Sequence, residues 1–251
     1  MQIIDGKKIA KEIVAELKQK PKPKKFLAAF LIGDNSASAS FVRQKEKTAK
    51  ELGIDFRIYK FPSEITNDEL RKEVLKIVSH KTCGGAIVQL PLPFHLNKHY
   101  VLNVIPREKD IDVLGERALG AFYTGRNPIL PPAVGVVEKI LKATSYELKT
   151  SKVAVVGLGL LVGKPISLWL KGNPSTGLGA RAKELYLLDE GSDLSPPAGG
   201  LKQVDLVISG VGKAGLIKPE MLKDGAAVID FGYDEHGESL LGDFDASQLQ
   251  T

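Results

Sequence analysis

Cysteine is almost missing from this 251-residue chain, and Cys83 stands alone. No intrachain disulfide can form, and a reducing compartment, the cytoplasm, is the natural reading. Cys83 precedes Gly84 and Gly85 at a strand start with no base motif beside it, so it reads as buried and inert. Long apolar runs are missing too. None approaches the roughly 20 residues that cross a bilayer, and the N-terminus alternates charge along an amphipathic helical pattern with no secretory apolar core. A membrane partner is therefore not expected. Aromatic residues make up 6% of the chain, and none interleaves with its densest charge run, Lys18 to Lys25. That run reads as a solvated prolyl connector, and no nucleic-acid partner is expected. No metal site and no solenoid-length repeat is expected either.

What is present is the profile of a soluble globular protein, 43% hydrophobic and 26% charged, with a net charge of +5. Such a length suits two domains of ordinary size. Strand and helix patterns alternate almost throughout, which predicts an α/β fold with largely parallel sheets. In the first half, strands are expected at Phe26 to Ile32, Asp55 to Phe61 and Ala86 to Leu90. Helices are expected at Ser38 to Leu52, Asn67 to Ser79 (capped by Thr66) and Asn97 to Val104. From Asp110 to Pro132 no period is clear, and the stretch reads as a long functional loop leading into a linking helix, Val134 to Lys142. The second half predicts strands at Val153 to Val156, Glu184 to Leu188, Leu206 to Ser209 and Ala227 to Asp230. A helix is expected around Ile166 to Leu170, and Asn173 to Ala182 reads as a surface insertion. The expected division is 1–132 and 133–251.

Three groups in the first half could do chemistry. Phe41 and Lys45, four residues apart, share one helix face. The plain alternative for Lys45 is solvation beside Arg43 and Lys47. Gln89 sits in an apolar strand, where an unpartnered amide costs about 1–3 kcal/mol, so it is expected to serve a ligand or another side chain. Asp110 and Asp112 face opposite ways if the segment is extended, so only one of them need be in a site. In the second half, V-A-V-V leads into G-L-G-L-L-V-G-K-P, with Gly157, Gly159 and Gly163 between strand and helix. Such a turn lets backbone N–H groups approach a pyrophosphate, although a tight turn without a ligand would look the same. Asp189 ends the next strand pattern, where a carboxylate can accept from an adenosine ribose.

These motifs together resemble the methylenetetrahydrofolate dehydrogenase/cyclohydrolase family over nearly the whole chain. S-x-x-F-V-x-x-K spans Ser38 to Lys45, with Phe41 where the family carries a tyrosine and Lys45 at its catalytic lysine. V-Q-L-P-L-P, from Val88 to Pro93, is intact, with Gln89 at the active-site glutamine. Asp110-Ile111-Asp112 matches the D-x-D element, whose second acid holds the pterin. G-L-G-L-L-V-G-K-P stands for the family's G-R-S-x-x-V-G-x-P. V-G-K-x-G at Val211 to Gly215, V-I-D-F-G at Val228 to Gly232 and the pair Gly242-Asp243 also match. The departures are Phe41, Leu158 in place of the turn arginine, Val113 in place of a glycine, and Leu130-Pro131-Pro132-Ala133 where cysteine-threonine-proline is common. The family's closing P-V-P-G-G-V-G-P loop and last helix find no counterpart before Thr251.

The resemblance implies an N-terminal folate domain, a C-terminal Rossmann-like domain and a site in the cleft between them. The substrate would be a tetrahydrofolate derivative and the cofactor NAD or NADP. By resemblance, Lys45, Gln89 and Asp112 would be catalytic, and Ser38, Phe41, Val88, Leu90 and Pro91 would line the substrate site. Gly157, Leu158, Gly159, Val162, Gly163, Pro165, Asp189, Gly210, Val211 and Gly212 would hold the cofactor. A homodimer is implied by resemblance alone. Leu158 offers no donor to an adenosine 2′-phosphate and Asp189 would repel it, so NAD is the expected preference. Two rival readings are a different nicotinamide enzyme on this fold and a non-catalytic folate- or nucleotide-binding protein.

Overall fold

Apolar side chains on both faces of a strand demand cover on both sides, and Phe26–Ile32 (F-L-A-A-F-L-I) is such a strand. The computed structural model describes residues 3–172, 180–194, 200–236 and 239–248. Of the expected insertion, residues 173–179 lie outside the described residues. The chain falls into two compact units, Ala10–Leu130 and Pro131–Thr251 with Met1–Ile9. Both are α/β, and each has its own parallel sheet.

Helix α1 (Gly6–Lys18) has no fully buried side chain. Phe26–Ile32 forms β1, the middle strand of a sheet ordered β2-β1-β3, with β2 at Phe56–Phe61 and β3 at Cys83–Val88. Helix α2 (Ser36–Leu52) lays Val42 on the face of Ala29 and Leu31, with Phe56 and Ile58 beside them. Residues of opposite parity face the other way. There Phe30 stacks on Tyr59 and Phe61, and α3 (Asn67–Val78) buries Leu70, Val74, Ile77 and Val78. Thr66 caps α3 in a capping box with Glu69. Helix α2 starts two residues before its expected start because the Asn35 side chain accepts from Ser38 N–H at 2.8 Å. The third strand ends at Val88, not Leu90, although Gln89 N–H still donates to Phe30 O.

Helix α4 (Lys98–Leu102) is shorter than its pattern. The stretch expected to be irregular holds helix α5 (Glu116–Tyr123), a correction with a clear cause. Ala118, Ala121 and Phe122 recur at helical spacing and are buried, whereas the flanking prolines and glycines mask that short period. Cys83 is buried and burial pushes its thiol up, as suits an inert core residue.

Helix α6 (Pro132–Ala143) opens on a proline, which suits the first turn of a helix. Next come β4 (Lys152–Val156), α7 (Gly163–Lys171), β5 (Glu184–Leu188), β6 (Leu206–Ser209) and β7 (Ala227–Asp230). The sheet is ordered β5-β4-β6-β7 and all its pairs are parallel. Ala154, Val156, Val207, Leu201, Ile217 and Leu222 form one buried core on it. A small antiparallel pair, β8 (Asp234–His236) with β9 (Ser239–Leu241), follows. From β4 the chain moves to β5 on one side and later to β6 on the other. The switch point therefore lies between β4 and β6, where α/β sheets bind ligands beyond the carboxyl ends of their strands.

Candidate functional site

In the Ala10–Leu130 unit, α2 carries Lys45 and the end of β3 carries Gln89. The lysine Nζ donates to Gln89 Oε1 at 3.1 Å. Lys45 is part-buried while Arg43 and Lys47 are exposed, so its face differs from that of its basic neighbours. Gln89 in turn donates through Nε2 to Leu90 O at 2.8 Å, and the buried Ser38 hydroxyl donates to the same carbonyl at 3.4 Å. Two side chains thus converge on Leu90, whose peptide to Pro91 is cis. Val88 is buried as the last residue of β3. Phe41 is 43% exposed one turn before Lys45.

The two acids have different surroundings, but not by strand alternation, because Ile111 and Asp112 form a turn and Val113 N–H returns to Asp110 O. Asp110 is buried, and one of its carboxylate oxygens accepts from Leu114 N–H at 3.0 Å and Gly115 N–H at 2.7 Å. Its backbone bridges to Ala86 of β3, which ties the segment to the sheet. Asp112 instead lies within the field of Lys45. Burial pushes its carboxyl up, the Lys45 charge pulls it down, and the Asp110 charge pushes it up again. An amine, an amide and an acid are gathered on one unit, and the acid's charge is coupled to the amine. Such a trio can hold a polar heterocycle and move a proton.

In the other unit the glycine turn leaves β4. Gly157 has a φ of 83°, and its N–H donates to Leu188 O at 2.8 Å. A Cβ on Gly163 would overlap the Gly157 carbonyl oxygen, and one on Gly210 would press into Val162. The turn, the N-terminus of α7 and the loop after β6 therefore meet at backbone distance at the switch point. Only glycine allows this approach, and it leaves room for a pyrophosphate, so the residues present fit a dinucleotide. Gly159 meets nothing within 4 Å and is not forced by packing. Pro165 is buried in the first turn of α7. Asp189 is exposed at the end of β5 and accepts from Leu158 N–H at 3.2 Å, which links the two residues on which the expected cofactor preference rests.

The roles of three residues escaped the sequence reading: Asp110, Asp230 and Asp243 are all carboxylates that accept backbone N–H groups. Each was visible only as a member of a matched motif, with nothing local to show what it holds. Among the described residues no cluster of three or more His, Cys, Asp or Glu could hold a metal, and no helix is long and apolar enough to cross a membrane.

Comparison with known proteins bears on both units. The sequence matches the tetrahydrofolate dehydrogenase/cyclohydrolase catalytic domain over residues 4–112, and that family's NAD(P)-binding domain over residues 131–251. It is 34% identical to the bifunctional protein FolD of Listeria innocua, over 99% of this chain and 87% of that one. A silkworm (Bombyx mori) 5,10-methylenetetrahydrofolate dehydrogenase superposes with a TM-score of 0.89 at 29% identity, covering 98% of this chain and 86% of that one. The Trypanosoma brucei methylenetetrahydrofolate dehydrogenase-cyclohydrolase, solved with NADP and an inhibitor, gives 0.85 at 29% identity, over 97% and 85%. With the lysine–glutamine pair on one unit, the glycine turn on the other and both domain matches in register with them, this chain belongs to the tetrahydrofolate dehydrogenase/cyclohydrolase family.

Proposed function

We propose that this protein oxidises methylenetetrahydrofolate to methenyltetrahydrofolate and hydrolyses that product to formyltetrahydrofolate. The observation that carries the reading is the Lys45–Gln89 hydrogen bond with Asp112 in the lysine's field. Asp112 holds the pterin through charge-assisted hydrogen bonds, and Phe41 offers it an aromatic face without the tyrosine's hydroxyl. The first step leaves a cation delocalised over two nitrogens, so it asks the protein mainly for orientation. A bound nicotinamide supplies the hydride acceptor. The second step adds water to that cation and opens the ring. Lys45 takes the water's proton, while Gln89 holds the lysine and orients the water.

Gly157, Gly163 and the N-terminus of α7 would hold the dinucleotide, with Asp189 toward the adenosine ribose. Leu158 and Asp189 both support NAD over NADP, because neither gives a 2′-phosphate a donor and one repels it. Family resemblance supports a cytoplasmic homodimer. Absorbance at the methenyl band, with methylenetetrahydrofolate plus NAD or NADP, tests the whole reading: formation and then decay of the band is expected. Its failure to form with either cofactor defeats the dehydrogenase assignment. The kcat/KM should be higher with NAD, and Asp189→Ser with Leu158→Arg should move the ratio toward NADP. A wild-type preference for NADP would overturn the cofactor assignment.

A further inference from the structure

The switch point has two walls, and the second hangs on a residue that no ligand can reach. Asp243 is fully buried. One carboxylate oxygen accepts from the Ser209 hydroxyl at 2.6 Å and from Val211 N–H at 2.8 Å. The other accepts from Gly212 N–H and Lys213 N–H, each at 2.8 Å. Three successive backbone N–H groups after a strand are an anion nest, and this nest is filled from within.

The carboxylate is itself locked in place. A Cβ on Gly232 would fall inside the Asp243 carboxylate, and one on Gly242 would overlap an oxygen of Asp230. Asp230 in turn accepts from Gly232 N–H at 2.8 Å and Phe244 N–H at 2.9 Å. Each aspartate thus fills the space left by the glycine beside the other. The segment is pinned further by Gly215 N–H to Gly242 O and Ile217 N–H to Asp243 O.

We propose that Asp243 is a positioning residue for the dinucleotide site: its carboxylate fixes the loop Gly210–Lys213 as the wall opposite the glycine turn. The loop's own N–H groups face Asp243, so the wall offers the cofactor shape and not charge. It presents the bare backbone of Gly210 against Val162, and the Val211 side chain, 44% exposed, beside Gly157. The pyrophosphate's charge is left to the N-terminus of α7. Gly210, Val211 and Gly212 then contribute by close approach, and the V-I-D-F-G and G-D motifs form the clamp behind them.

This inference rests on reading the chain as a dinucleotide-using folate enzyme, and the two can fail separately. Calorimetry with NAD and NADP on wild type and on Asp243→Asn gives a readout independent of turnover. The dinucleotide Kd should rise by about tenfold or more in the variant, the scale of one lost charge-assisted hydrogen bond. The dehydrogenase loss should appear in the dinucleotide KM more than in kcat. Hydrolysis of methenyltetrahydrofolate, which needs no dinucleotide, should stay within about twofold, and amide exchange at Val211, Gly212 and Lys213 should quicken. Wild type that binds neither dinucleotide defeats the functional reading. Wild type that binds while Asp243→Asn binds equally well overturns the inference. If Asp243→Asn does not fold, Ser209→Ala removes one donor and keeps the carboxylate. A several-fold weaker dinucleotide affinity with unchanged hydrolysis then supports the role, and an unchanged affinity overturns it.

Discussion

The Lys45 constellation and the Gly157 turn are built from opposite materials. Around Lys45 the working parts are long side chains from α2, the end of β3 and the segment after it. Around Gly157 the working part is backbone, and what matters is where side chains are missing. Yet both regions rest on the same device behind the surface. Asp110 in one and Asp243 in the other are buried carboxylates that hold a loop by its N–H groups. A carboxylate accepting several backbone N–H bonds fixes a loop whose own N–H groups have no strand partner. An acid beside a site is therefore a scaffold as readily as a contact, and substitutions can tell which.

The largest effect should come from Lys45→Met. It removes the proposed proton acceptor and keeps the side chain's apolar stem, so hydrolysis of methenyltetrahydrofolate should fall by about 10²–10⁴-fold in a folded protein. A near-normal rate would return Lys45 to a solvated helix face and undo the contrast between the regions. Gly163→Ala strikes the backbone-built region instead. Its methyl would overlap the Gly157 carbonyl, and overpacking of this kind costs about 1–3 kcal/mol. Dinucleotide affinity should collapse while hydrolysis persists. Loss of both together would show that the two regions do not work independently.

A finer cut separates contact from scaffold within one motif. Asp112→Ala should weaken folate binding by about tenfold or more, the scale of charge-assisted hydrogen bonds worth roughly 1.5–3 kcal/mol. Asp110→Ala should instead lower stability by about 1–3 kcal/mol, because it strands the N–H groups of Leu114 and Gly115. The reverse order in titrations and urea melts would mean that the roles are exchanged. Titration adds a sign. The Asp112 carboxyl lies above its ordinary value of 3.8 in the folded protein, chiefly through burial. The folded state therefore holds that proton more tightly than the unfolded chain does. Its contribution to stability is intact below the ordinary value and falls as pH rises through the window up to the raised one. Asp112→Asn should escape that fall and gain on wild type as pH rises from acid to neutral, even as it binds folate poorly. A stability difference that does not change with pH would remove this account.

How much of this was readable depends on the range of the forces involved. Phe26–Ile32 and the Val153 to Val156 part of β4 declare themselves, because a strand covered on both faces must be apolar. Gly157 and Gly163 were legible because close backbone approach admits only one residue type. Helix α5 was not, since eight residues carry barely two turns of period and prolines flank them. Asp243 was visible as part of the Gly242-Asp243 pair, but its role was least legible of all. Its partners, Ser209 and Val211 to Lys213, lie about thirty residues away in sequence, and no local pattern encodes them. Local chemistry shows which groups could act, whereas long-range hydrogen bonds decide which of them act and which merely hold.

The smallest expected effect tests whether the segment carrying Asp112 is held under strain. Val113 has a φ of 56° and is 1% exposed. A β-branched residue in the left-handed region costs about 1–2 kcal/mol, and it persists only where its surroundings insist on it. The burial of its side chain, worth about 1.5–3 kcal/mol, is what insists here. Val113→Gly relieves the strain, loses that burial and adds about 0.5–1 kcal/mol of chain entropy to be lost on folding. The losses outweigh the relief, and the variant should be less stable than wild type by about 1–2 kcal/mol. Val113→Ala loses most of the burial and keeps the unfavourable φ, so it should be no more stable than Val113→Gly. At an ordinary buried position that order is reversed, because alanine outlasts glycine. Urea melts of the two variants side by side decide the point: alanine clearly above glycine would mean that the segment is relaxed, and that Asp112 is presented by packing alone.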